Sequence, residues 1–202
     1  LFRRWVVSDK KILELEKATK QTELQQLKKQ INPHFLFNML NNANILVKDA
    51  PDEASQILEK LDNLLRYQLN DSTRREVFLT ADIQFLTSFL ELEKVRRDHF
   101  EYTIFQEGNM ENICIPPLLF IPFVENAVKH NLDSDNLSYV HLYFSVHNKQ
   151  LTFRCENSKP RVPVKREGGI GLANVKRRLD LLYESRYTLL IEDKETTYNV
   201  NL

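Results

Sequence analysis

The feature that most constrains this fold is a change of hydrophobic period near residue 72. Upstream, apolar residues recur at helical steps; downstream, two-residue alternation and helical stretches take turns. From residue 8 to about residue 47, Leu13, Leu24, Leu27, Ile31 and His34 fall at such steps among Lys, Glu and Gln. Leu24, Leu27 and Ile31 read as the seam of a paired helix. Pro33 breaks or kinks that helix, because it lacks an amide donor and crowds the preceding turn. Asp49-Ala50-Pro51-Asp52-Glu53 reads as a turn and a new helix start with acid in its first turn. Ile57, Leu58, Leu61, Leu64 and Leu65 then form one apolar stripe to about Leu69. Two such helices predict a hairpin that buries its open seam by dimerising into a four-helix bundle. Residues 70–75 are the expected linker.

Downstream the pattern predicts strands at 76–79, 101–106, 139–146, 150–155, 187–192 and 197–202, and helices at 81–98, 117–130 and 171–183. The third of these helices opens on a Gly-rich turn, the second on a proline, which a helix tolerates best at its start. Interleaved strands and helices make an α+β chain: an N-terminal helical hairpin, then a two-layer α/β sandwich with a mostly antiparallel or mixed sheet covered on one face.

Lys plus Arg and Asp plus Glu balance at 28 each, which excludes bulk electrostatic attraction to nucleic acid. Cys114 and Cys155 match no metal spacing and read as reduced thiols of a cytosolic compartment. The longest apolar run, residues 113–124, is too short for a membrane span and is broken by prolines. Leu1 in place of Met, followed by Phe2-Arg3-Arg4-Trp5-Val6-Val7, leads to the expectation of a membrane region upstream and a cytoplasmic position for these residues. An arbitrary boundary in a soluble protein is the other reading.

Three polar motifs carry chemistry. His34 lies in Gln30-Ile31-Asn32-Pro33-His34-Phe35-Leu36-Phe37-Asn38. Near neutral pH an unprotonated imidazole nitrogen is a nucleophile, although a lone helical His is more often packed or solvated. In Glu125-Asn126-Ala127-Val128-Lys129-His130, two i,i+4 pairs bring Glu125 with Lys129, and Asn126 with His130, to one end of a helix. The Asn126 amide oxygen suits Mg²⁺, Lys129 suits phosphate, and Glu125 can accept a proton. The same residues also read as the polar end of an amphipathic helix. Gly168-Gly169-Ile170-Gly171 precedes a helix, where backbone amides can approach an anion. The basic, proline-containing stretch before it, with Lys165 and Arg166, reads as a lid over phosphates or as a solvated loop.

In this order the three motifs resemble the phosphoacceptor, N and G boxes of LytS/YehU-type sensor histidine kinases, whose ATP-binding domain is of the GHKL (Bergerat) type. Arg66-Tyr67 and the helix at 91–96 are similar to the family's connecting segment, and the resemblance covers residues 20–202. It implies a juxtamembrane helix at 1–20, a dimerising phosphoacceptor hairpin at 21–72 and a catalytic domain at 73–202. It implies autophosphorylation of His34 by ATP with Mg²⁺, Asn126 as metal ligand and Glu125 as proton acceptor. Lys129 and His130 would approach the phosphates, with Lys165 and Arg166 on the lid. Gly169, Gly171, Leu172 and Asn174 would shape the lid hinge and the nucleotide's edge. The partners implied are a second copy of the chain and a response regulator of DNA-binding type, which takes the phosphoryl group on an Asp; no direct contact with nucleic acid follows.

One departure concerns adenine. The family's Asp-Asn-Gly-x-Gly is here Glu156-Asn157-Ser158-Lys159-Pro160, so either Glu156 or Asn157 is left to supply the acceptor. That change favours a rival reading, a nucleotide-independent dimeric signalling scaffold. A GHKL ATPase without phosphohistidine is a second rival, which the His34 string opposes.

Overall fold

The computed structural model describes residue 19 and residues 33–131, 136–160 and 170–202. The expected seam of Leu24, Leu27 and Ile31 lies outside these residues, as do Lys165, Arg166, Gly168 and Gly169.

Helices α1 (Pro33–Asp49) and α2 (Pro51–Asn70) are separated by Ala50 alone. Pro51 stands at the start of α2 with Asp52 and Glu53 in its first turn, where proline lacks no bond and acid meets the positive end of the dipole. Met39 and Ala43 of α1 and Ala54, Ile57, Leu61 and Leu64 of α2 are buried at helical spacing, and the two helices pack on each other. Phe37, Leu40, Ile45, Val47, Leu58 and Leu69 remain exposed on the hairpin.

The expected linker is short and ordered. A 3₁₀ turn, Asp71–Thr73, follows α2 directly, with Thr73 Oγ1 donating to the Asn70 carbonyl at 2.7 Å. There follow β1 (Val77–Phe78), α3 (Leu79–Arg96), β2 (Phe100–Glu107), β3 (Cys114–Ile115), α4 (Ile121–His130), β4 (Ser138–His147), β5 (Gln150–Ser158), α5 (Ile170–Tyr183), β6 (Leu190–Asp193) and β7 (Thr197–Asn201). The two-residue β3, which pairs with β1 as a small antiparallel ribbon, has no counterpart in the sequence expectation. Two residues are too few to display a period.

The main sheet has the order β2-β4-β5-β7-β6; β2 and β4 run parallel and every other pair antiparallel. The sheet is therefore mixed. Register places Val140 opposite Asn157, Leu142 opposite Cys155 and Phe144 opposite Phe153. Period-two alternation puts these on one face, where all are buried, and puts Tyr139, His141, Tyr143, Arg154 and Glu156 on the other. Helices cover the first face. Phe120 meets Phe144 edge-on at 5.3 Å and Phe153 at 4.4 Å, and Phe123 closes the cluster at 5.9 Å from Phe153. Such pairs stabilise by about 0.5–1.5 kcal/mol beyond their area. Buried residues occur all round α3 because it lies between the hairpin, β2 and α4. The result is a two-layer α+β sandwich with helices preceding it.

Candidate phosphoacceptor and nucleotide site

The sequence pattern predicts a helix from residue 117, but α4 begins at Ile121. Pro117 and Leu118 instead form a turn, with Leu118 at φ 56°, a left-handed conformation that branched side chains rarely adopt. Tertiary contacts hold it there. The Leu118 amide donates to Asp82 Oδ1 at 3.1 Å. Arg178 donates to the Leu118 carbonyl at 2.5 Å and also to the Pro117 carbonyl. These atoms are buried, and unpaired buried groups cost about 1–3 kcal/mol each.

From that turn α4 buries Ile121, Phe123, Val124, Ala127 and Val128. Glu125, Asn126 and His130 are left half-buried and Lys129 exposed along the other edge. The far end is clamped too. Asn131, fully buried, accepts from Arg97 Nη1 at 3.0 Å and donates to the Tyr139 carbonyl at 3.1 Å. Arg97 also donates to Ser138 Oγ at 2.7 Å, so the helix end is fixed to β4. Sequence reading singled out none of Asp82, Arg97, Asn131 or Arg178. A signal existed for Asp82, a carboxylate at a helical step between Leu79 and Leu86; nothing local marks the other three.

His34 is the second residue of α1. The next residue, Phe35, packs on Phe89 with ring centroids 5.0 Å apart. Phe35 and Leu36 line one apolar cleft together with Leu61, Phe85, Phe89 and Glu125. Burial there, and secondarily the charge of Glu93, pushes the Glu125 carboxyl up to about 7. Glu93 itself is paired with Arg96 at 2.6 Å.

The two candidate adenine acceptors part company. Glu156 is on the open face of the sheet, ion-paired with Arg154 and 3.4 Å from the Tyr139 hydroxyl. Asn157 is buried on the helix-covered face, its Nδ2 donating to the Ser158 carbonyl at 2.8 Å, which leaves its Oδ1 as an acceptor. Gly171 and Leu172 lie in the first turn of α5, and Asn174 is half-buried one turn on. Among the described residues no cluster of His, Cys, Asp and Glu could hold a metal alone. The Asn126 amide oxygen fits a magnesium ion that draws its other ligands from phosphates and water, and the Lys129 cation suits those phosphates.

The family model described as histidine kinase matches residues 22–100. The sensor protein LytS of Staphylococcus haemolyticus is 30% identical over 194 residues, which cover 89% of this chain and 33% of that protein. Over these residues the chain is similar to the LytS-type sensor histidine kinases. It is also similar to the sensor histidine kinase YpdA of Escherichia coli, 31% identical over 119 residues, 59% of this chain and 21% of YpdA. The chain thus spans between a fifth and a third of the length of these relatives. In fold it is similar to a solved bacterial phosphotransferase, with a TM-score of 0.50 at 10% identity over 91% of this chain and 95% of that one. The two-layer α+β sandwich with a mixed sheet, expected from the sequence, is the fold described above.

Proposed function

We propose that this chain is the catalytic portion of a LytS-type sensor histidine kinase that phosphorylates His34 from ATP. The observation that carries this reading is the shared cleft: the two residues following His34 and the side chain of Glu125 line the same space. In the proposed reaction an unprotonated ring nitrogen of His34 forms a bond to the γ-phosphorus, the bond to the β-phosphate oxygen breaks, and ADP leaves. Glu125 takes the proton from the other ring nitrogen; a base with a pKa of about 7 suits proton transfer at neutral pH. Magnesium, when bound with the nucleotide, supplies neutralisation of phosphate charge.

The chain's own residues do the rest. Asn126 offers the metal an amide oxygen, Lys129 and His130 stand one turn along the same helix for the phosphates, and Lys165 and Arg166 would approach from the lid. Gly169 and Gly171 would leave room for backbone amides to approach phosphate, with Leu172 and Asn174 next to them in sequence. Asn157 is the better-placed adenine acceptor of the pair. The exposed apolar residues of the hairpin, including Phe37, Leu40 and Ile45, support its burial against a second copy of the chain. In that reading residues 21–72 dimerise and carry the acceptor, residues 73–202 bind ATP, and residues 1–20 lead from a membrane-anchored region to this cytoplasmic portion. The phosphoryl group then passes to an Asp of a response regulator.

The test is incubation with γ-labelled ATP and Mg²⁺, comparing wild type with His34→Gln and Asn126→Ala. Acid-labile label on wild type, lost in both variants, is the expected result. A wild type that takes no label and binds no ATP analogue would replace this reading with that of a dimeric scaffold.

A further inference from the structure

Tyr67 lies near the end of α2, and its side chain enters the polar network that holds the start of α4. Its ring stacks on Phe85 with centroids 4.6 Å apart, and its hydroxyl donates to Asp82 Oδ1 at 2.5 Å. The same oxygen accepts from the Leu118 amide. One oxygen of Asp82 therefore takes two donors: a hydroxyl from the hairpin and an amide from the turn that launches α4. Arg178, on α5, donates to the Pro117 and Leu118 carbonyls of the turn that launches α4. Tyr67, Asp82 and Arg178 are each under a tenth exposed.

The chemistry of this junction is demanding. Asp82 Oδ2 has no hydrogen-bond partner among the described residues, so Oδ1 carries the attachment. A charge-assisted bond is short and direction-sensitive. It lies in a site that excludes water, where its geometry is felt most strongly. Leu118 holds a left-handed backbone conformation, which persists only when its surroundings over-determine it. Moving the Tyr67 hydroxyl by a fraction of an ångström must therefore be answered by Asp82, and through it by the first turn of α4.

We propose that Tyr67, acting through Asp82 and the Leu118 turn, is a positioning residue by which the helical hairpin sets α4 and the polar edge that carries Asn126 and Lys129. The importance of that edge for nucleotide rests on the reading under Proposed function. Tyr67 itself touches no reacting atom. It transmits the hairpin's arrangement to α4, and Arg178 carries the same constraint to α5. A rotation or slide of α2 relative to α3 is thereby reported at both helices that flank the proposed nucleotide site.

The test compares wild type, Tyr67→Phe and Ile57→Ala in the full chain. Tyr67→Phe removes one hydroxyl and keeps the stack on Phe85; Ile57→Ala loosens the hairpin away from Asp82. Amide hydrogen exchange is read at residues 118–124, and affinity is measured for a non-hydrolysable ATP analogue with Mg²⁺. Exchange at 118–124 should rise about tenfold in Tyr67→Phe and not in Ile57→Ala, with analogue binding weakened at least threefold. Unchanged exchange in Tyr67→Phe, or an equal rise in Ile57→Ala, would overturn the proposal. So would raised exchange with unaltered affinity in a protein that binds nucleotide. A wild type that binds no analogue, yet shows the rise in Tyr67→Phe alone, would sink the kinase reading and leave the Tyr67 link to α4 standing.

Discussion

The ring of Phe35 lies 5.0 Å from that of Phe89 at an interplanar angle of 36°, so the residue beside His34 is packed on the first helix of the α+β sandwich. Helix α1 is thus docked to the body through an aromatic contact one residue from His34, the proposed phosphoacceptor. Phe89 is 6% exposed, and its replacement by Ala should cost about 3–5 kcal/mol through lost burial and a cavity. Urea unfolding measures the cost, and hydrogen exchange along α1 should rise in the same variant. An unfolding midpoint equal to wild type would show that the Phe35 contact contributes nothing.

Glu125 makes stability depend on pH with a definite sign. Its carboxyl is pushed up to about 7 in the fold, mainly by burial, while the unfolded chain titrates it near the ordinary glutamate value. Between those values the folded state holds the proton more tightly, so its contribution is full at low pH and is lost as pH rises through 7. Asp82, raised to about 6 chiefly by burial, acts in the same direction over a lower window. Glu125→Gln should flatten the decline between about pH 5 and 8 and stabilise the chain at pH 8 by about 1–3 kcal/mol. Thermal melts across that range decide it; a variant that declines as steeply as wild type would refute the assignment.

The two faces of β5 separate the adenine candidates. Asn157→Ala should weaken binding of an ATP analogue about tenfold or more, the usual loss when a site's hydrogen bond to a base is removed. Glu156→Gln, on the opposite face and held by Arg154, should leave affinity within about twofold. The reverse order in a calorimetric titration would mean that the nucleotide uses the open face of the sheet.

Arg178 forks onto two buried carbonyls from one helix. Arg178→Ala should cost about 2–4 kcal/mol, because both acceptors lose their partners in a dry site. Arg178→Lys should recover less than half of that, since an ammonium cannot reproduce the fork. Equal stability of the Lys variant and wild type, by chemical unfolding, would contradict the bidentate account.

Much of the element order was legible. The stripe Ile57, Leu61, Leu64 shows a helix because it belongs to a 20-residue amphipathic stretch, and the alternation of Val140, Leu142 and Phe144 shows a strand because it is kept through most of a 10-residue segment. The start of α4 was not. Pro117 is an admissible first helical residue, yet here it precedes a left-handed Leu118 because Asp82 and Arg178, distant in sequence, satisfy the turn's backbone. The ribbon strand Cys114–Ile115 was equally invisible, since it exists only by pairing with Val77 and Phe78.

For the candidate site the division is sharper. The sequence alone determined which residue types stand in which order: a histidine after proline, a Glu-Asn pair one turn from Lys-His, and glycines before a helix. Those features depend on local spacing, and local spacing is what a chain carries before it folds. Only the tertiary structure decided that Glu125 shares a cleft with the neighbours of His34, that Asn157 rather than Glu156 faces the helices, and that Tyr67 reaches Asp82. Each depends on which face of an element is turned inward and on contacts between segments far apart in the chain. Burial, strand register and the pairing of buried polar groups settle these together, and no window of neighbouring residues contains all three.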